Sequence, residues 1–222
     1  NKNTTFVNSN WTKKRYFKIY KKNSKIIYPT FSTVNQKKIN YFSFNKKKNN
    51  FLILGRVGND KKTFDCLKFL VKFKKKYKHF NIGKLLIIGP IKFKLKRKVD
   101  SLQKKYINDV RFYGHVSYKE RDKILNTNKY GLHFCREEHF GRSILEMKKK
   151  GVIVFCHNSG GAKEIISSKF QRFENMNDLE KLILKVLKSK NLRKNLILQN
   201  FNNNLDKFSE NEFVRNLTTS LQ

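Results

Sequence analysis

Two prolines, three cysteines, one tryptophan and 16 acidic residues are all that this 222-residue sequence holds of those types. The cysteines, Cys66, Cys135 and Cys156, are odd in number and widely spaced. They form neither a disulfide framework nor a C-x-x-C metal knuckle, which fits a reducing compartment. Lys, Asn or Arg interrupts every apolar run within about eight positions, short of the ~18 to 20 residues of a spanning helix, so an integral membrane protein is excluded. His115, His133, His139 and His157 include no H-x-x-x-H pair, and no metal site is expected. An initiating methionine, a secretory signal pattern and an internal repeat are also missing, as in a fragment of a longer chain.

Against the few acids stand 51 Lys and Arg, for a formal charge of +35. The 41 lysines come with 26 asparagines and many Ile, Phe and Tyr, the residues that an A/T-rich coding sequence favours. The lysine excess therefore reads first as solvated surface. Attraction to nucleic acid or to an anionic membrane surface are the functional alternatives. Apolar residues at 38%, with 20 Phe, suffice for a real core and argue against disorder.

From Phe51 onward, short runs rich in Ile, Leu, Val and Phe alternate with longer amphipathic segments, the order of a parallel α/β sheet with crossover helices. The runs are Phe51 to Leu54, Leu85 to Ile88, Val110 to Tyr113, Tyr130 to Phe134 and Val152 to Phe155, punctuated by Gly55, Gly89, Gly114 and Gly151. Cys66, Leu70, Phe73 and Tyr77 share one helical face, and Lys72, Lys74, Lys75, Lys76 and Lys78 cover the rest as a solvated surface. Asp178 to Leu187, Leu192 to Leu205 and Glu210 to Leu221 read as a helical tail. The domains expected are residues 1–50, a remnant of an amino-terminal acceptor domain ending in a polar interdomain linker; 51–205, a Rossmann-like domain; and 206–222, a terminal helix.

The densest chemistry lies in HFCREEHFGRSILEM, His133 to Met147, and the stretch that follows it. Glu138 and Glu146 stand eight apart, the first in a strand-to-helix loop and the second inside the helix, with His139, Phe140, Gly141 and Arg142 between. Glycine at a helix start lets backbone N–H groups approach a phosphate, and the helix dipole adds attraction. Asn158-Ser159-Gly160-Gly161 repeats the device after the next strand, so two phosphate-binding turns at carboxyl ends of strands suggest a diphosphate. Gly55-Arg56 and Lys61 add cations that would stabilise it as a leaving group. His133 reads as a satisfied core histidine, Cys135 as packing, and Trp11 as packing at a helix start.

The order of GR…K, LLIIGP, VRFYGHV, the E-x7-E pair around HFG, and SGG-x-x-E resembles the carboxyl-terminal half of retaining, nucleotide-sugar-dependent glycosyltransferases of family 4. VNSNWT, IIYP, EEHFG, HNSGG and KFSENEF are similar to phrases of its α-1,2-mannosyltransferases, which extend lipid-linked oligosaccharide on the cytosolic face of the endoplasmic reticulum. The resemblance implies a GT-B fold, its donor half being a doubly wound, Rossmann-like parallel sheet with a helical tail.

It further implies a nucleotide-sugar donor, GDP-mannose, and a glycan or lipid-linked acceptor, at a cytoplasmic location peripheral to a membrane. Glu138 would sit near the transferred sugar and Glu146 would bond the nucleotide ribose. The Gly141 amide region, together with Gly55, His139, Phe140, Arg142, Ser159, Gly160 and Gly161, would hold the donor, while Arg56 and Lys61 neutralise the diphosphate without a metal or other cofactor. One departure is Met147-Lys148-Lys149-Lys150 before Gly151, where the family has small residues; the lysines would tighten or replace a packing surface. The competing expectations are a UDP-sugar-dependent transferase for surface polysaccharide or glycolipid, and a basic nucleic-acid-binding protein. Against the latter, the basic residues are spread over every helix, while Glu137, Glu138 and Glu146 lie where the ligand would go.

Overall fold

The computed structural model describes residues 4–30, 41–202 and 205–221. An amino-terminal unit comprises β1 (Phe6–Val7), α1 (Asn10–Tyr20) and β2 (Lys25–Ile26), the two strands pairing in parallel. After α2 (Tyr41–Asn45), a sheet is built from β3 (Lys48–Leu54), β4 (Leu85–Ile88), β5 (Val110–Gly114), β6 (Asn128–His133), β7 (Ile153–His157) and β8 (Arg172–Phe173). The connections are α3 (Thr63–Lys76), α4 (Lys96–Lys105), α5 (Tyr118–Thr127), α6 (Arg142–Lys149) and α7 (Ala162–Ile165). The chain closes with α8 (Met176–Lys188), α9 (Lys190–Asn202) and α10 (Glu210–Leu221).

All six strands of the sheet run parallel in the order β5-β4-β3-β6-β7-β8. Chain order therefore reverses between β3 and β6, and a crevice opens at their carboxyl ends. The central strands are apolar on both faces because helices cover both. Phe51, Ile53, Leu85, Ile87, Tyr130, Leu132, Ile153 and Phe155 pack in a core with α3, α8 and α9. Leu52, Leu86, Ile88, Val154 and Cys156 face the other way, with α5, α6 and α7.

The expected linker is corrected at its end. α2 puts Phe44 fully inside the first core, and β3 already begins at Lys48. The polar start of that strand has partners: Asn50 Oδ1 accepts from Lys84 N at 2.7 Å, and its Nδ2 donates to Asn128 Oδ1 at 2.7 Å. Residues 31–40, the middle of the expected linker, lie outside the described residues. On α3, Cys66, Leu70 and Phe73 are buried while Lys72, Lys75 and Lys76 are exposed; Lys74 lies half-buried, paired with Asp109 at 2.6 Å.

The lysines that end α6 take the course of a polar seam. Lys148 and Lys149 are each only 3% exposed, and Lys148 Nζ donates to the Ile165 carbonyl at 2.8 Å. Lys150 pairs with Asp122 at 2.6 Å, and the buried Lys47 donates to the carbonyls of Leu125 and Lys150. Cations placed at the carboxyl ends of α5 and α6 satisfy orphan carbonyls and the helix dipoles.

Candidate active site

The loops after β3 and β6 meet at the point of reversal. Lys61, just before α3, reaches across to Glu138: Nζ lies 2.6 Å from Oε2, with the side chains 25% and 17% exposed. The buried His133, at the end of β6, brings Nε2 to 3.2 Å from the same oxygen, yet without the alignment of a hydrogen bond. His133 is thus not the satisfied core histidine expected. The His133 imidazole, then the Lys61 ammonium, hold the Glu138 carboxyl down at about 2 despite its partial burial. Cys135 lies beside the pair, Sγ 3.9 Å from Lys61 Nζ, its thiol pushed up by burial. Arg56 is exposed and bonds Asp60 at 3.1 Å.

α6 starts at Gly141, which occupies the N-cap position with no side chain capping the helix. Ile144 N bonds the Gly141 carbonyl at 2.9 Å, which leaves the amides of Arg142 and Ser143 as the ones open to an anion. Arg142 is exposed there. One turn further on, Glu146 is 8% exposed, and Arg121 Nη1 lies 3.5 Å from its Oε2. Burial pushes this carboxyl up and Arg121 pulls it back only in part. The two glutamates thus face different conditions, one held ionised by contacts and one desolvated.

The second glycine turn backs the first. Gly161 N donates to Glu138 O at 2.7 Å, and Glu137 N donates to Ser159 Oγ at 2.9 Å, with Oγ also 2.8 Å from His157 Nδ1. A Cβ on Gly160 would sit 2.5 Å from Glu138 O, and one on Gly161 2.3 Å from His139 O. The absence of side chains is thereby accounted for by backbone packing. α7 is only four residues long and carries Glu164 in its first turn, a poor setting for a phosphate. The two turns are therefore not equivalent in geometry: the first leaves the start of α6 without a side-chain cap, and the second packs its glycines against the first. The Phe140 side chain is 3% exposed and its ring packs on Tyr28 and Phe208, so it is part of the core.

The amino-terminal unit also supports the open turn, with Trp11 packing at a helix start as its position suggests. Glu164 accepts from Asn10 N and Trp11 N, both at 3.0 Å, and from the Tyr28 hydroxyl at 2.7 Å. The carboxylate thus caps the amino terminus of α1, where the helix dipole favours negative charge. Ser9, buried at the N-cap, donates to His139 O at 2.5 Å, and Trp11 stacks on the His139 ring at 5.4 Å between centroids. The signal was present: Ser9-Asn10-Trp11-Thr12 reads as an N-cap, and the Glu of SGG-x-x-E was in view without its partner.

Residues 34–202 match the family model described as glycosyl transferases group 1, which is more than half of the chain. The chain belongs to that family. Among curated proteins it is similar to the GDP-Man:Man(3)GlcNAc(2)-PP-Dol alpha-1,2-mannosyltransferase of Dictyostelium discoideum, 27% identical over 175 residues, 72% of this chain and 35% of that protein. It is also similar to the Xenopus laevis protein of the same name, 43% identical over 54 residues, 24% of this chain and 11% of that one. The chain thus spans about a third or less of these relatives. Among solved structures, HepE of Anabaena, in complex with UDP and glucose, superposes with a TM-score of 0.80 at 16% identity, covering 98% of this chain and 62% of HepE. That likeness carries the fold, a Rossmann-like parallel α/β sheet of the GT-B type. None of the described helices is long and apolar enough to cross a membrane.

Proposed function

We propose that this chain forms the donor-binding part of a retaining glycosyltransferase that moves mannose from GDP-mannose to a glycan or lipid-linked acceptor. The observation that carries the reading is a carboxylate held ionised by His133 and Lys61 at the point of strand reversal, beside the uncapped start of α6. The names of the curated relatives support the choice of GDP-mannose.

In this reading the diphosphate lies against the first-turn amides of α6, in the field of its dipole. Arg56 exchanges Asp60, and Lys61 exchanges Glu138, for the phosphate oxygens, so both cations oppose the charge that builds on the leaving diphosphate. Glu138, released, turns to hydroxyls of the transferred sugar, and Glu146 bonds the ribose. The bond from the anomeric carbon to the phosphate oxygen breaks as the acceptor oxygen attaches on the same face. The departing phosphate oxygen takes the acceptor proton, and the configuration is retained. The cations supply the positive charge, and the step needs no metal. A lipid-linked acceptor places the enzyme at the cytosolic surface of a membrane.

Calorimetric titration with GDP, GDP-mannose and UDP at two salt concentrations tests the reading. One-to-one binding of GDP that weakens modestly with salt is expected, with GDP-mannose tighter. A clear preference for UDP moves the donor to a UDP-sugar, and binding lost at moderate salt points to a charge-driven nucleic-acid surface instead.

A further inference from the structure

We propose that His133, Cys135 and Glu138 form a binding site for a thiophilic divalent cation, zinc by preference, which competes with Lys61 for Glu138. One ligand atom from each residue falls within 4.8 Å of the others, the only such group among the described residues. His133 Nε2 and Glu138 Oε2 are 3.2 Å apart. Two ligands on one tetrahedral ion, with arms of about 2.0 to 2.1 Å, stand about 3.3 Å apart, so this pair is already at ligand spacing. With its longer arm the Cys135 sulfur would stand about 3.6 Å from the other two ligands, so it needs an approach of about 1.2 Å at most to complete a facial triad.

A second observation points to a missing partner. Nε2 of His133 is buried and faces the Glu138 carboxylate at 3.2 Å off the line of a hydrogen bond, an incompletely satisfied setting for a polar nitrogen inside a protein. A metal ion would satisfy it. One nitrogen, one sulfur and one oxygen suit zinc or cobalt, whereas magnesium and calcium prefer oxygen alone. Three protein ligands leave a fourth position for water. On binding, the Cys135 thiol and Nε2 of His133 each give a proton to solvent, the imidazole staying neutral with its remaining proton on Nδ1, and the ion takes the Nε2 lone pair, the thiolate and one carboxylate oxygen.

Lys61 occupies the same space. Its Nζ is 2.6 Å from Glu138 Oε2 and 3.9 Å from Cys135 Sγ, and repulsion between ammonium and ion forces one to leave. Lys61 is partly exposed and can turn into solvent on its flexible stem. The site therefore has two exclusive occupants, an ammonium or an ion. That the ion also withdraws Glu138 from the sugar rests on the function proposed above; the ion site itself does not. The chain's charge of +35 works against stray binding of cations elsewhere.

Cobalt titration of the untagged chain, without nucleotide, tests the site. One Co2+ per chain is expected, with thiolate-to-cobalt absorption that Zn2+ abolishes and Mg2+ does not. Cys135→Ser should remove the absorption and weaken binding at least tenfold. His133→Gln should weaken it similarly, with melting curves to verify folding. Lys61→Met should strengthen ion binding at least tenfold. No thiolate absorption at millimolar cobalt, or absorption that persists in Cys135→Ser, would overturn the site; unchanged affinity in Lys61→Met would overturn the competition. Because the readout is spectroscopic and nucleotide-free, failure to bind GDP in calorimetry leaves this result standing on its own. If the ion binds, GDP-mannose should lose its advantage over GDP when zinc is present.

Discussion

Residues 137–141 and residues 158–161 both follow a parallel strand, both contain glycine and both precede a helix, yet they do different work. The first leaves α6 uncapped and holds Glu138 between His133 and Lys61. The second places Gly160 and Gly161 against the backbone of the first and leads into a four-residue helix whose Glu164 grips α1. The open turn therefore rests on two supports that are themselves joined through Glu164, the glycine turn and the amino-terminal unit. Rigid support is what a binding turn needs, since a loop alone does not hold amides at phosphate spacing. Glycine after a strand can thus mean ligand approach or backbone approach, and only the neighbour distinguishes them.

Substitutions can break this division. The largest effect is expected from Gly161→Ala, whose Cβ would meet His139 O at 2.3 Å and the Phe140 Cα at 2.9 Å, both backbone atoms that cannot turn aside. It should cost at least about 3 kcal/mol of stability, and a melting curve like that of the wild type would show that the turns do not pack in this way. Glu164→Ala leaves Asn10 N, Trp11 N and Tyr28 Oη without their acceptor. A loss of about 2 to 3 kcal/mol in urea unfolding is expected, with Glu164→Gln intermediate.

Nucleotide binding probes the open side of the comparison. Glu146→Ala should weaken free GDP by roughly 2 kcal/mol, about thirtyfold, while Glu138→Ala should spare GDP and weaken only GDP-mannose. Equal losses of GDP affinity in both variants would merge the two roles.

pH reports on the support. Burial and then the nearby Lys207 charge push Lys148, which bonds the Ile165 carbonyl at the end of α7, down to about 8. Between that value and the ordinary 10.5, the unfolded chain binds more protons than the folded one, so this lysine makes stability rise with pH across the window. Lys148→Met should remove roughly 1 to 2 kcal/mol of that rise, measured as the difference between the two proteins from pH 8 to 10.5. The smallest effect should come from Ser159→Ala, which strips one acceptor from Glu137 N and costs about 1 kcal/mol.

Much of this arrangement is visible in the residues. Leu85 to Ile88 is the strand that its apolar run predicts, and Glu210 to Leu221 the terminal helix. Glu138 lies in a strand-to-helix loop and Glu146 in the helix, as their surroundings suggest. β3 begins three residues early because Asn50 finds side-chain and backbone partners, which a polarity pattern does not reveal. β8 is two residues long, too short to carry a period. Lys148 and Lys149 are buried, in line with lysines that replace a packing surface, because each polar tip has somewhere to go; Lys148 reaches a carbonyl.

Local properties of the chain were enough to determine a parallel α/β domain, the strands that form its centre and the loop that carries the paired glutamates. Apolar runs, glycine punctuation and helix starts act over a few residues, and the hydrophobic effect reads them in order. Tertiary structure alone decided that Lys61 meets Glu138 across 77 positions, that Gly161 packs on His139, and that Glu164 binds α1 across more than 150. Such pairings depend on strand order and loop closure, where residues far apart in sequence are brought within hydrogen-bond range by the packing of everything between them.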